Sequence, residues 1–405
     1  MTGHLYSPRR SLFLPLGLLA LYFAAGCGES ASNGEPDYPT WTARPEFRFS
    51  SDHDRDVSLS QVPYLRVDPV RNRVFVIDLL GQPVTAWTPE GSVVFSARRG
   101  EGPGEFNYPT RIYLGEDGSF AVRESFGTRF AWFTPDGELA RTVPGAPPSM
   151  THDGFALNWE APVDDGGFLG VQRIPAATAM GMRDRPPING RPLLRLLPPK
   201  QGVWPAPYPV FQVNTRNRYG VVQRGQRSGF IGQPFGDEDL WRIHPGGAVV
   251  ARRNGAPGVV DLFELDADGD TLWRQSLSLP PLQLTAERVE QAIQSWVASR
   301  AGSRAESPAT LGEAYRRVLY QPEYLPAIEE MFLSASGEVW LGTHERSDDL
   351  RVFYAVSREH PTRQPRRILL PDGVRFHDAT DTHVWGIHPD RFDVPHIVGL
   401  RLLPQ

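Results

Sequence analysis

Cysteine occurs once in these 405 residues, at Cys27, and lysine once, at Lys200. With a single cysteine the chain can close no disulfide of its own and build no thiolate-ligated zinc site, whatever the redox compartment. Stability must therefore come from a packed core. Dense basic blocks are missing too: the cationic charge is almost all arginine, scattered singly and in short pairs, and the net charge is −5. A nucleic-acid surface has no footprint here. No GxSxG elbow marks a hydrolase nucleophile, and no HExxH spacing marks a zinc protease. The longest apolar run, Leu12 to Gly26, is about 15 residues, short of the ~20 that a membrane-spanning helix needs.

That run follows Arg9 and Arg10 and ends in Ala24-Ala25-Gly26-Cys27, the order of charged, apolar and small residues found in an export signal. The four residues resemble a bacterial lipobox, with Ala24 where leucine is usual. The resemblance implies a signal peptide over 1–26, lipidation at Cys27, and a lipoprotein residing in the periplasm or on the outer membrane. SPRRSLFL also resembles a twin-arginine signal, with Leu12 in place of the usual aromatic, so the export route stays open. Residues 27–45 are polar and turn-rich and read as a disordered tether, because they offer too little apolar surface to order themselves.

Beyond the tether, 39 glycines, 39 prolines and 43 aromatic residues fit many short strands joined by tight turns. One unit recurs six times: a strand-like run, a turn carrying Gly, Asp, Asn or Ser, and a second strand rich in β-branched and aromatic residues. The second strands begin near Val74, Phe120, Phe168, Ala248, Val339 and Val384, at steps of 46, 48, 80, 91 and 45 residues. A second hairpin follows most of them. Two hairpins in series make a four-stranded meander with two apolar faces, which can be buried only by stacking around a closed ring. The expectation over 46–405 is an all-β fold: a six-bladed β-propeller of four-stranded antiparallel blades. The last blade is one strand short, and Glu46–Ser50 is expected to complete it from the N-terminal side, removing an exposed edge.

The two long steps call for insertions. Thr285 can cap a helix whose Val289, Ala292, Ile293, Trp296 and Val297 form one stripe, and a second helix is expected from Leu311 to Tyr320. This insertion, about 285–320, is expected either to cover a channel mouth, to dock a partner, or to pack beside a blade. The Pro- and Arg-rich segment from Pro175 to Pro209 reads as an irregular excursion.

The loop GEGPGEF, Gly100 to Phe106, followed by Tyr108 and Pro109 and by TPDGE-type turns, resembles NHL-repeat and TolB-like six-bladed propellers, from Pro63 to about Val143. The resemblance implies the fold and a binding or scaffold role; the family also includes lactonases and lyases.

Candidate site residues are the polar groups on or beside the innermost strands, which line the axial channel of a propeller: Arg66, Arg111, Glu160, Arg242 and His377. Arg123, Glu124 and Arg173 end second strands. Arginine pairs planar anions bidentately, so such a funnel would favour an anionic small ligand, with a protein partner as the other possibility. The alternative is a propeller hydrolase or lyase of lactonase or esterase type with a divalent metal in the channel. No cofactor and no metal ligand is assigned: DADGDT from Asp266 lacks a Glu at its twelfth position, and His53, Asp54 and Asp56 read as an exposed loop. Membrane contact is expected only through the lipid.

Overall fold

The computed structural model describes residues 38–50, 59–125, 128–147, 149–172, 190–224, 227–253, 255–300 and 307–405. Cys27 and residues 1–26, where a signal peptide is expected, the trio His53, Asp54 and Asp56, and Arg173 lie outside them.

The described residues are all-β apart from two helices. Strand β1 is Thr40–Phe49. Strands β2 to β5 (Tyr64–Asp68, Arg73–Ile77, Val84–Trp87, Val93–Ser96) form a four-stranded antiparallel meander, as do β6 to β9 (Pro109–Leu114, Phe120–Glu124, Arg129–Phe133, Leu139–Pro144). A five-stranded sheet follows, from β10 (Thr151–His152) and β11 (Phe155–Pro162) through β12 (Phe168–Gln172) and β13 (Gly190–Leu196) to β14 (Tyr208–Asn214). The hairpin β15–β16 (Tyr219–Arg224, Arg227–Gly232) precedes another meander, β17 to β20 (Leu240–His244, Gly247–Arg252, Val259–Asp266, Thr271–Ser278). Helices α1 (Ala286–Ala298) and α2 (Pro308–Arg316) come next. Strands β21 to β24 (Glu330–Leu333, Glu338–Ser347, Leu350–Ser357, Arg366–Pro371) and β25 to β27 (Arg375–Ala379, His383–Pro389, Pro395–Pro404) end the chain.

The turns explain why the strands break where they do. In GEDGS and TPDGE, Gly118 and Gly137 sit at φ +80° and +86°, a conformation that side chains with a Cβ resist. The middle strands of the sheets, such as Arg73–Ile77, Val84–Trp87, Phe120–Glu124 and Phe168–Gln172, are buried on both faces, because each sheet packs against a neighbour on either side. The first strands of the sheets adjoin one another: β2 meets β6 and β25, β17 meets β11 and β21, and β21 meets β25. The Tyr113 hydroxyl donates to the Glu160 carbonyl across β6 and β11. The arrangement is propeller-like, with apolar side chains packed between successive sheets. One such layer joins Phe75 and Ile77 to Phe120, Val122 and Phe133; the Phe75 and Phe120 rings lie 4.6 Å apart, and Phe120 stacks on Phe133 at 4.8 Å. Pairs of this kind add about 0.5–1.5 kcal/mol each to the burial itself.

Four differences from the sequence reading have physical causes. Strand β1 starts at Thr40, not Glu46, so 40–45 belong to the fold: Trp41 packs on the core holding Trp340 and Phe353, with the Arg366 guanidinium 4.9 Å over its ring. Second, β1 pairs on both sides, antiparallel with β27 from Trp41↔Pro404 to Phe49↔Ile397 and parallel with β24 at Thr40–Thr42. The last two four-stranded units expected to be separate are thereby one eight-stranded sheet. Third, part of 175–209 is regular: Gly190–Leu196 is a strand and Tyr208–Asn214 begins inside the segment, because Leu193, Leu194 and Leu196 enter the core while Arg195 reaches Asp165 at 2.6 Å. Fourth, the hairpin β15–β16 went unread. It gives the helices their support: Ile293, Tyr315 and Leu319 bury against Ile231 and Phe235, with Val289, Ala292, Trp296 and Val297 packed on the same cluster. Thr285 caps α1 as expected.

Candidate functional site

Polar residues on a strand face recur every second position, and on the first strands this rule places Tyr64 with Arg66, Arg111 with Tyr113, Arg242 with His244, and Arg375 with His377. All eight line one cavity of about 330 Å³ among β2, β6, β17, β21 and β25, together with Glu330, Met331, Phe332 and Leu333.

The four arginines differ in how their charge is met. Arg66 donates to the Leu333 carbonyl at 2.6 Å and to Asp378 at 3.3 Å. Burial opposes its charge, but Asp378 and Tyr64 outweigh burial and raise its pKa. Asp378, fully buried, also accepts from the backbone N–H groups of Val67, Ala335 and Ala379 at 2.7–2.8 Å, so it ties three strand segments together. Arg111, Arg242 and Arg375 have no such partner. They donate to the carbonyls of Thr110 (3.1 Å), Trp241 (2.8 Å) and Val62 (2.5 Å), and Arg375 also to His377 Nε2 at 3.1 Å. None of the three bonds a carboxylate among the described residues. Burial and the neighbouring Arg111 push the Arg242 guanidinium down to about 10, against the pull of Glu330 and Glu160. Burial, with Arg375, Arg111 and Arg242 adding repulsion, lowers His377 to about 3. His244 is lowered to about 4 by burial and by Arg358. Both imidazoles are therefore neutral hydrogen-bonding groups at neutral pH.

Glu330 is the one carboxylate on this wall. It shares Arg351 with Glu329, and burial raises its pKa. A divalent cation needs several oxygen donors converging on one point. Among the described residues, no three His, Asp or Glu side chains gather in that way. The donors do not fit a metal centre, whereas the guanidiniums fit an anion.

Arg66, Arg111, Arg242 and His377 thus meet in one cavity. Glu160 stands beside it, 3.3 Å from Arg123. Arg123 and Glu124 do not line it and are packing groups. Arg123 is buried and donates to the Trp159 carbonyl and to Asn158, both at 2.6 Å. Glu124 pairs with Arg129 at 2.6 Å and accepts from the backbone N–H of Asn107. The GEGPGEF loop is held internally, since Glu105 accepts the Gly102 N–H and Arg129 binds the carbonyls of Glu101, Gly102 and Glu105. Sequence reading missed Tyr64, Tyr113, His244, Glu330 and Arg375. Stepping two residues along each first strand from the arginines and the histidine already chosen would have found all but Glu330.

No protein-family model matches the chain, and no curated protein matches it. Solved structures align over most of its length at low identity. A Bacteroides fragilis protein does so at TM-score 0.45 and 8% identity, over 92% of this chain and 98% of its own. Virginiamycin B lyase from Staphylococcus aureus does so at 0.40 and 9%, over 90% and 100%. A gluconolactonase from Xanthomonas campestris does so at 0.39 and 10%, over 91% and 99%. Likenesses this distant carry no argument about activity, and the fold rests on the strand pairing given above.

Proposed function

We propose that the chain is a lipid-tethered, six-bladed β-propeller of the cell envelope that binds a small anionic ligand in its central cavity. The blade count is supported by six apolar layers, each packed between neighbouring sheets or sheet halves. In this reading the eight-stranded sheet is two blades, β21 to β24 and β25 to β27 with β1, joined by the short parallel pairing of β1. The lipid anchor rests on the sequence around Cys27. Cys27→Ala is expected to leave the domain folded and release it from membranes; unchanged fractionation would sink the anchor.

One observation carries the ligand reading: Arg111, Arg242 and Arg375 face the same cavity without a carboxylate of their own. Arg111 and Arg242 are half-buried and Arg375 is exposed at the mouth, so three like charges share one cavity with no counter-charge of their own, and an anion entering it would relieve that repulsion. Calorimetric titration with acetate and with inorganic phosphate at low ionic strength tests this. Binding that Arg242→Gln weakens by tenfold or more is expected. Equal heats from wild type and variant would refute it. The hydrolase or lyase alternative predicts turnover of an ester or lactone panel that depends on added Ca²⁺, and the wall of the cavity gives that cation no matching set of donors.

A further inference from the structure

A second cavity, of about 630 Å³, lies between the sheets of β6 to β9 and β11 to β14 and shares Tyr113, Leu114 and Pro245 with the central one. Trp132, Pro162, Val143 and Val163 give it one apolar wall, half-buried and unfilled by any described side chain, while Ser119, Arg141 and the exposed Glu116 and Asp164 make much of the rest of its lining polar. Arg141 stacks over the Trp132 ring at 4.6 Å and caps one side. A guanidinium-rich chamber thus adjoins a groove with one apolar wall, and the two share Tyr113, Leu114 and Pro245. An anion as small as acetate or phosphate would fill only the first.

From this juxtaposition we infer that the ligand is an amphipathic anion: a carboxylate or phosphate head held by Arg111, Arg242 and Arg375, and an aromatic or acyl body lying in the groove against Trp132 and Val163. The inference rests on the anion-binding reading and adds to it the part of the ligand that sets specificity. Charge decides which end goes where. The central cavity gathers Arg66, Arg111, Arg242 and Arg375 with one carboxylate on its described lining, whereas in the groove Arg141 is offset by Glu116 and Asp164, so the anionic head is drawn to the cavity and the uncharged body to the Trp132 wall. Apolar contact there supplies the affinity that a single small anion lacks, since water is displaced from Trp132 and the two prolines.

The test is a calorimetric series on the whole chain with four probes: acetate, 3-phenylpropionate, octanoate and inorganic phosphate. Wild type is expected to bind at least one of phenylpropionate and octanoate tenfold or more tightly than acetate. Trp132→Leu and Val163→Asp, each checked for an unchanged unfolding transition, are expected to remove that preference and leave acetate and phosphate affinity within twofold. If Trp132→Leu unfolds, Val163→Asp, at the turn that follows β11, still decides. Acetate, phenylpropionate and octanoate binding equally tightly would overturn the amphipathic ligand and leave the anion site standing. No binding of any probe would overturn both.

Discussion

Arg242 should make the protein less stable while making it functional, and the two effects can be separated. Its guanidinium is pushed down to about 10 from 12.5 by burial and by Arg111. Each pKa unit corresponds to about 1.4 kcal/mol, so the charge is disfavoured in the fold by about 3 kcal/mol at any pH well below 10. Arg242→Met keeps the stem and removes the charge. It also forfeits the bond to the Trp241 carbonyl, worth about 1 kcal/mol. The variant is therefore expected to be more stable by about 1–2 kcal/mol in urea unfolding followed by circular dichroism, in a buffer of bulky, weakly binding anions. Ligand reverses the order. An anion present at 100 times its Kd stabilises the wild type by about 2.7 kcal/mol and should leave the variant almost unmoved. A variant less stable than wild type by 1 kcal/mol or more, or one that gains as much from the anion, would refute the reasoning.

Further outcomes follow from other groups. Asp378→Asn should cost about 3–5 kcal/mol, because it strands the Arg66 charge and weakens three backbone bonds; a loss under 1 kcal/mol would show that Asp378 does not hold the ring. His377 is held near 3 in the fold and titrates near 6.5 when unfolded, so the unfolded chain takes up its proton first as pH falls. Stability is then full above pH 6.5 and falls by up to about 1.4 kcal/mol per unit between 6.5 and 3 from this residue; His377→Asn should flatten that slope. Ile293→Ala should cost about 2–4 kcal/mol at the helical insertion without changing anion affinity, since neither helix lines the central cavity. A changed affinity would restore the lid reading.

The fold was legible wherever local signals agreed with the tertiary answer. Turns such as GEDGS and TPDGE demand a left-handed residue, and the runs beside them are rich in β-branched and aromatic residues. Both cues are local, so the hairpins at Phe120 and Val339 could be placed from the chain alone. Strands β13 and β14 were not legible, because Pro192 and Pro209 break the pattern and the buried Arg195 looks like a surface residue until Asp165 is placed beside it. The hairpin β15–β16 hid for a similar reason: its apolar partner, α1, is more than fifty residues downstream. At the site, Arg66, Arg111 and Arg242 announced themselves and Arg375 did not, and which of the four were neutralised could not be read. Asp378 meets Arg66 across 312 positions, and no spacing rule connects them. Glu330 was missed because its role depends on Arg351, which approaches from another strand of the same sheet.

The central claim is that an anion belongs among Arg111, Arg242 and Arg375. Anomalous diffraction from crystals grown or soaked in bromide tests it most directly, because a bromide ion needs only the positive field and reports its own position. The account predicts a bromide peak in the central cavity within contact distance of at least two of the three guanidiniums, and no such peak in Arg242→Met crystals under the same conditions. A cavity holding only water in wild-type crystals, with bromide ordered elsewhere on the same molecule, would contradict it.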